Sequence, residues 1–491
     1  MRNMKSILSV SVPLFIALLV RVPLIDGSFW LDEAAQVLES MRPLSQQLDI
    51  GADFQPPLFH VLVHLLTRWG VEEWWLRLAS LIPGLVTIFF TYRIGMLFGK
   101  TEKRQHIIGF LSSMLLSLSA FHVYFSQELR PYALAACWAT ISWYVLLRAQ
   151  QKKMWNMRDR TCFIFCSIAG LYTMYVYPFL LISQFAFLVF SHTKEIKKHL
   201  QDAGWITLGF LPWVPYFLFQ LKVGRTLQHT LPGWSTVVST PQWKALPLVL
   251  LKFFGGGVKI DMSLQDIVYF GVPIVFLSYA VWKSRHTLSR ALLLWLGLSL
   301  FLAWLVSFIV PVLAPKRVLF VLPAFFLLIT QAILSLKQKS VWYAGIALCL
   351  VYQGMGLVSY WTLPYMQREG WRESIAAIRQ QYSAGTSVAV FGFTEPFAPW
   401  IFYERNKNFR FPTASFSSFP LVQKEVEQSF ATLESYKTIL IFDYLRDLTD
   451  PSRLIESWVE THGFEQKTII QTKNMGFIRV YERNTFISVK N

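Results

Sequence analysis

Up to about residue 358 the chain consists of apolar runs separated by short polar turns. The runs at 7–20, 81–98, 107–125 and 292–310 approach or reach the roughly 20 residues with which a helix crosses about 30 Å of hydrocarbon. They read as membrane spans rather than core helices. Followed through the chain, the pattern predicts about eleven spans, near 7–24, 76–98, 106–125, 130–148, 161–177, 179–192, 203–220, 265–282, 290–310, 317–335 and 341–358. The first run has no small-residue cleavage site and is followed by further spans, which reads as a retained anchor. From about Ser359 the apolar runs shorten and charge density rises, so a small water-soluble α/β domain is expected over 361–491, after a membrane domain over 1–360. Within it, 371–382 reads as an amphipathic helix, 387–393 and 437–444 as buried strands, 451–460 as a helix, and 467–472 with 475–482 as a hairpin turning at Lys473 and Asn474.

Composition agrees with this pattern. The chain is 54% hydrophobic and only 15% charged, whereas about a quarter of a soluble domain is charged. The formal charge of +17 sits in short clusters between apolar runs rather than on one basic face, which argues against a nucleic-acid partner. Clusters such as Arg93/Lys100/Lys103/Arg104, Arg148/Lys152/Lys153 and Lys283/Arg285/Arg290 fall on alternate turns. By the positive-inside rule these turns, and the N-terminus, are cytoplasmic and the C-terminal domain is extracytoplasmic. All four cysteines, Cys137, Cys162, Cys166 and Cys349, lie in expected spans and read as packing residues rather than a disulfide framework.

Chemistry is concentrated in the outward segments. Residues 25–75 form the first excursion, with 58–69 as a helix lying in the interface. A second, 221–264, holds Trp234, Trp243 and Gly255 to Gly257 and reads as a mobile loop over a site. In the first, Trp30-Leu31-Asp32-Glu33-Ala34 places two acids side by side just after the first span. Adjacent helix residues face different ways and serve different ends. Asp32 could take the proton of an attacking hydroxyl, or the pair could simply be first-turn acids favoured by the helix dipole. Ser126-Gln127-Glu128-Leu129-Arg130-Pro131-Tyr132 brings a carboxylate, a guanidinium and a phenol to an outer turn. Ionisable groups at membrane depth are costly and usually serve a pathway or a site; the alternative is an interface-anchored helix start with Arg130 reaching headgroups. Lys316-Arg317 before the tenth span runs against the charge bias, and a lipid phosphate would compensate it, whether a substrate's or a headgroup's. His60 and His64 share a helical face without the Glu of a zinc-protease pattern, and no Gly-rich phosphate loop, Walker sequence or nucleophile elbow occurs.

These pieces in order, Phe29-Trp30-Leu31-Asp32-Glu33-Ala34, Gln55-Pro56-Pro57-Leu58, Leu76-Arg77-Leu78 and Ser126 to Leu134, resemble the bacterial glycosyltransferase family 39 group, which is related to protein O-mannosyltransferases and the aminoarabinose transferase of lipid A. Leu171-Tyr172-Thr173, Leu211-Pro212-Trp213, Lys316-Arg317 and Trp371-Arg372 extend the likeness. The resemblance implies a GT-C fold, a polyprenyl-phosphate sugar donor and transfer at the outer membrane face. It implies Asp32 as base, Glu33 and Glu128 in the same cavity, and Arg130, Tyr132, Lys316, Arg317, Gln55, His60 and Arg77 as substrate-binding candidates. Met174 stands where many relatives have His, and Gln55 where the lipid A branch has Lys; neither a metal-dependent variant nor the aminoarabinose substrate follows.

The expected protein is therefore a membrane glycosyltransferase, hexosyl or pentosyl and inverting, acting on a protein, glycan or lipid acceptor among membrane lipids. No cofactor is required and a divalent cation is left open. A lipid-linked sugar flippase or transporter is the competing class; it would more naturally show inverted repeats or interrupted helices, and neither is evident in the sequence.

Overall fold

The computed structural model describes residues 2–48, 54–191, 195–230, 242–257, 264–392, 397–416 and 421–483. The expected loop residue Trp234 and the strand end Phe393 lie outside them. Two compact units divide the chain. One comprises Met1–Ile25, Arg42–Val223 and Thr236–Met366; the other comprises Asp26–Met41, Gly224–Ser235 and Gln367–Asn491.

The first unit is helical. Among the described residues, Glu73–Gly95, Ile196–Thr226, Pro315–Leu334 and Lys339–Thr362 are long and apolar enough to cross a membrane, and Ser9–Arg21, Tyr177–Ser191 and Arg290–Val306 are shorter apolar helices. The expected span over 106–125 is not one straight helix: Glu102–Leu118 and Ala120–Ser126 meet at 66°. Ser119 leaves the helical region at φ −62°, ψ 111°, ending the first helix, and its hydroxyl accepts the His122 N–H to start the second. Nor is 221–264 a loop throughout, since Val214–Thr230 and Gln242–Gly255 are helices.

The core of this unit is aromatic and aliphatic, with Trp143 stacked on Trp295 at 5.3 Å. The Trp295 indole donates to the Phe320 carbonyl at 3.0 Å, giving a buried polar atom the partner it needs away from water. Where Leu78–Gly95 packs on Glu102–Leu118, a Cβ on Gly95 would lie 2.5 Å from the Gly109 Cα. The backbones therefore touch, as small residues permit in membrane bundles.

The second unit is an α/β layer structure. Its sheet runs β2–β1–β3–β5–β4, with β1 (Ser387–Phe391), β2 (Thr413–Ala414) and β3 (Thr438–Phe442) parallel, and β5 (Phe477–Arg483) antiparallel to both β3 and β4 (Phe464–Gln471). Every residue of β1 and β3 is buried, which is why both read as unbroken apolar runs. Val388, Val390, Ile439 and Ile441 pack with Val426, Phe430, Ile455 and Val459 from helices Gln423–Phe430 and Leu454–Thr461. Ala389, Phe391, Leu440 and Phe442 pack with Trp371, Ile375, Ile378 and Trp400 from helices Trp371–Gln381 and Ala398–Glu404. The β4–β5 hairpin turns where expected, with Asn474 and Gly476 left-handed at φ 61° and 79°.

Gly95→Leu should overpack the contact with Gly109 at a cost of about 1–3 kcal/mol. The expected result is a thermal midpoint in detergent several degrees below that of the parent protein, with an exposed change such as Val351→Ala, on a residue 56% exposed, serving as the neutral control.

Candidate active site

The paired acids lie in the first turn of a ten-residue helix, Leu31–Ser40, belonging to the second unit. That position follows from the sequence: acids in a first turn meet the positive end of the helix dipole. Helix geometry separates the two side chains by about 100°. Glu33 is fully buried, with a carboxylate oxygen 3.9 Å from the buried Arg368 guanidinium, whereas Asp32 is half-buried. One acid is committed to the interior and its neighbour keeps access to solvent.

The helix start is organised by residues Gln367 to Arg372, of which the sequence pattern singles out only Trp371 and Arg372. Trp30 occupies the N-cap position in extended conformation, φ −84°, ψ 177°, and makes no side-chain cap. The Glu369 carboxylate instead accepts the Leu31 N–H, together with the Trp371 indole at 2.7 Å and the Tyr444 hydroxyl at 2.9 Å. Ser28 joins the same segment, its hydroxyl donating to the Glu369 carbonyl and accepting the Trp371 N–H at 2.9 Å. Burial, and secondarily the charge of Asp32, push Glu369 up to about 7, against the pull of its hydrogen-bond donors. Burial and the neighbouring Glu369 hold Tyr444 well above the ordinary phenol range. A lone acid between Arg368 and Gly370 gives no periodicity or motif by which to find it.

The remaining candidates lie in the first unit. Just beyond the bend, Gln127 donates to the Arg21 and Pro23 carbonyls at 2.7 and 2.6 Å and accepts the Tyr360 hydroxyl at 2.9 Å. This fixes the turn carrying Glu128 and Arg130, both buried. Arg130 is tied further by its carbonyl, which accepts the Ser80 hydroxyl at 3.2 Å. Ser126 sits against Gly84, where a Cβ would come within 2.4 Å of its Oγ. The Pro315–Val321 turn packs on helix Tyr132–Lys152. That contact brings the Lys316 ammonium 5.7 Å from the centre of the Tyr132 ring, while Arg317 donates to the Pro311 carbonyl at 2.8 Å. Lys316 and Arg317 are half-buried. His60 is fully buried on helix Leu58–Thr67, and Arg77, also fully buried, donates to the Ile25 carbonyl at 2.7 Å. The Gln55 carbonyl accepts from Gln220 at 3.5 Å. Among the described residues no three His, Cys, Asp or Glu side chains converge as a cation site.

The helical bundle with its small C-terminal sheet is the GT-C fold, as solved structures show. The chain is similar to ArnT from Cupriavidus metallidurans bound to undecaprenyl phosphate, with a TM-score of 0.58 at 11% identity over 100% of both chains. Against the apo form of that protein the TM-score is 0.54 at 10% identity, over 98% of each chain. The archaeal oligosaccharyltransferase AglB from Archaeoglobus fulgidus, in complex with an inhibitory peptide and a dolichol-phosphate, matches 100% of this chain and 75% of its own length, with a TM-score of 0.51 at 11% identity. No protein-family model matches the sequence, and no curated protein matches it.

Because Glu33 is fully buried beside the Arg368 guanidinium and Asp32 is only half-buried, Glu33→Gln should cost about 1–3 kcal/mol of stability, by removing a buried charge next to Arg368. Asp32→Asn should cost less than about 1 kcal/mol. Thermal unfolding of the two purified variants in detergent measures the difference; equal losses would contradict the division of roles.

Proposed function

We propose that the chain is a membrane glycosyltransferase moving a sugar from a polyprenyl-phosphate donor to an acceptor hydroxyl at the outer face of the membrane. The observation that carries this reading is the whole-length likeness to a GT-C structure holding undecaprenyl phosphate, in a chain that also has a half-buried acid at a helix start and a half-buried Lys316-Arg317 pair. In this reading the chain crosses the bilayer about eleven times, with its N-terminus cytoplasmic and residues 361–491 outside.

The Asp32 carboxylate takes the proton of the acceptor hydroxyl as that oxygen bonds to the anomeric carbon from the side opposite the leaving group. The bond from that carbon to the phosphate oxygen breaks, and the lipid phosphate leaves with the electron pair. The outcome is inversion. A phosphate leaving group needs charge stabilisation more than protonation, so Lys316, Arg317 and Arg130 would act as its electrostatic partners without nucleotide machinery. Tyr132 would shape the place of Lys316 through its ring. Glu33 and Glu128 would be further carboxylates of the reaction, and Gln55, His60 and Arg77 further substrate-binding groups. A protein, glycan or lipid could supply the hydroxyl, and no step here is routed through a divalent cation.

The test uses the purified protein in vesicles with undecaprenyl-phosphate donors carrying labelled sugars and a mixture of peptide, glycan and lipid acceptors. Asp32→Asn should lower transfer by about 100-fold or more. Lys316→Ala and Arg317→Ala should each lower turnover by about 10- to 100-fold. Movement of donor across the vesicle without sugar transfer would replace this reading with that of a flippase.

A further inference from the structure

We propose that Glu369 is a positioning residue for the reaction proposed above: it caps the Leu31–Ser40 helix from a distant part of the chain and fixes the attitude of Asp32. The inference rests on Asp32 being the base, but its structural half stands apart from that reading.

The need for such a residue is set by the helix itself. The first N–H groups of a helix have no partner within it, and a Ser, Thr, Asp or Asn at the cap normally supplies one. Trp30 supplies none. Glu369 fills that role at Leu31 and is itself held in one orientation by the Trp371 indole and the Tyr444 hydroxyl. The segment around it is stitched on both sides. Towards the helix, Ser28 bonds to Glu369 and Trp371, and Arg372 donates to the Asp26 carbonyl at 3.1 Å. Towards the sheet, Gly370 N–H donates to the Lys473 carbonyl at 3.0 Å and Asn474 donates to the Gln367 carbonyl at 2.9 Å. The carboxylate that touches Leu31 is thus anchored to the β4–β5 turn, and a shift of that turn is carried to the residue before Asp32.

The strength of the cap depends on the charge of Glu369. The titratable groups that act on it are Asp32 on the helix and Tyr444 after β3; Arg368, Arg372 and Glu373 are the charged residues beside it in sequence, and Lys473 in the hairpin turn accepts the Gly370 N–H through its carbonyl. Of these, Asp32 raises its proton affinity and the Tyr444 hydroxyl lowers it. An ionised Glu369 is a stronger acceptor for the Leu31 N–H than a protonated one, so the cap that precedes Asp32 tightens as Glu369 loses its proton. Turnover should therefore carry a component that rises as pH passes through about 7, where Glu369 loses its proton.

The sign for stability is opposite. The folded protein holds the Glu369 proton more tightly than an unfolded carboxyl of ordinary affinity does. Its contribution is full below about 4.5 and is lost as pH rises through about 7.

Three variants of the full chain test the inference. Glu369→Gln keeps the shape and the acceptor for Leu31 but cannot titrate. It should flatten the step in turnover near pH 7 and leave the donor KM within about twofold, with kcat reduced about tenfold above the step. Tyr444→Phe removes a donor to the ionised carboxylate and should move the same step to higher pH, a shift that a merely structural role would not produce. Glu369→Ala removes the cap and should speed amide exchange of the 28–40 peptide about tenfold or more, leaving peptides from β1 and β3 unchanged. If the parent protein transfers no sugar, the reading of Asp32 fails while amide exchange and the pH dependence of unfolding still decide the cap. Glu369→Gln should then abolish the loss of stability between pH 5 and 8. Unchanged exchange in Glu369→Ala, or an unchanged pH step in both other variants, overturns the proposal; if Glu369→Ala does not fold, the Gln and Phe variants carry the decision.

Discussion

A polar group in apolar surroundings must find its partner within the protein, because no water is there to supply one. Much of the helical unit follows from that constraint. Arg21 closes the first apolar helix fully buried, and its guanidinium donates to the Ala17 and Ser117 carbonyls at 2.9 and 3.0 Å and to Nδ1 of His122 at 2.7 Å. The His122 ring is in reach because the chain bends at Ser119, and the Ser117 carbonyl is available because the same bend ends the helix it belongs to. The backbone beyond Arg21 then receives Gln127, which places Glu128 and Arg130. A bend, a buried cation and the turn bearing two candidate site residues form one connected solution to a single electrostatic requirement.

The second unit solves a different problem, the accommodation of two adjacent acids at one helix start. Two carboxylates in adjacent positions cannot face the same surroundings on a helix, and the protein uses the difference. Glu33 turns inward to Arg368, while Asp32 keeps a partly solvated surface and the favourable field of the helix start. An anion so placed lies in the favourable field of the backbone dipoles at the helix start.

Much of the fold was legible in the sequence because periodicity reports burial directly. The continuous apolar runs gave most of the helices, and the runs around 387–391 and 438–442 gave the two central strands, because each is buried on both faces. The bend at Ser119 was not legible: the apolar run passes through it without interruption, and the break is decided by what Ser119 and His122 bond to. Helix Gln242–Gly255 was hidden for the opposite reason, since Pro247, Trp243 and the following glycines look like loop while the packing of Val249 and Phe253 makes a helix. At the candidate site the paired acids and the Lys316-Arg317 pair stand out because charge is rare in such a chain. Glu369 does not stand out, since its meaning lies in a contact with residues more than three hundred positions earlier.

The distant cap is informative because a local one would have been easier. A Ser or Asp at position 30 would cap the helix at once and independently of the rest of the chain. With Trp30 there, the cap exists only when 367–372 is folded against the hairpin turn, so the helix start and Asp32 acquire their final geometry only in the complete second unit. A helix of ten residues is marginal by itself, and this one places no capping side chain at its own start. The sheet beneath Trp371, with Phe442 stacked on that ring at 5.9 Å, therefore supports the acid at the start of the chain as directly as the residues next to it in sequence. Residues 367–483 are then a structural part of the setting of Asp32 rather than a separate appendage.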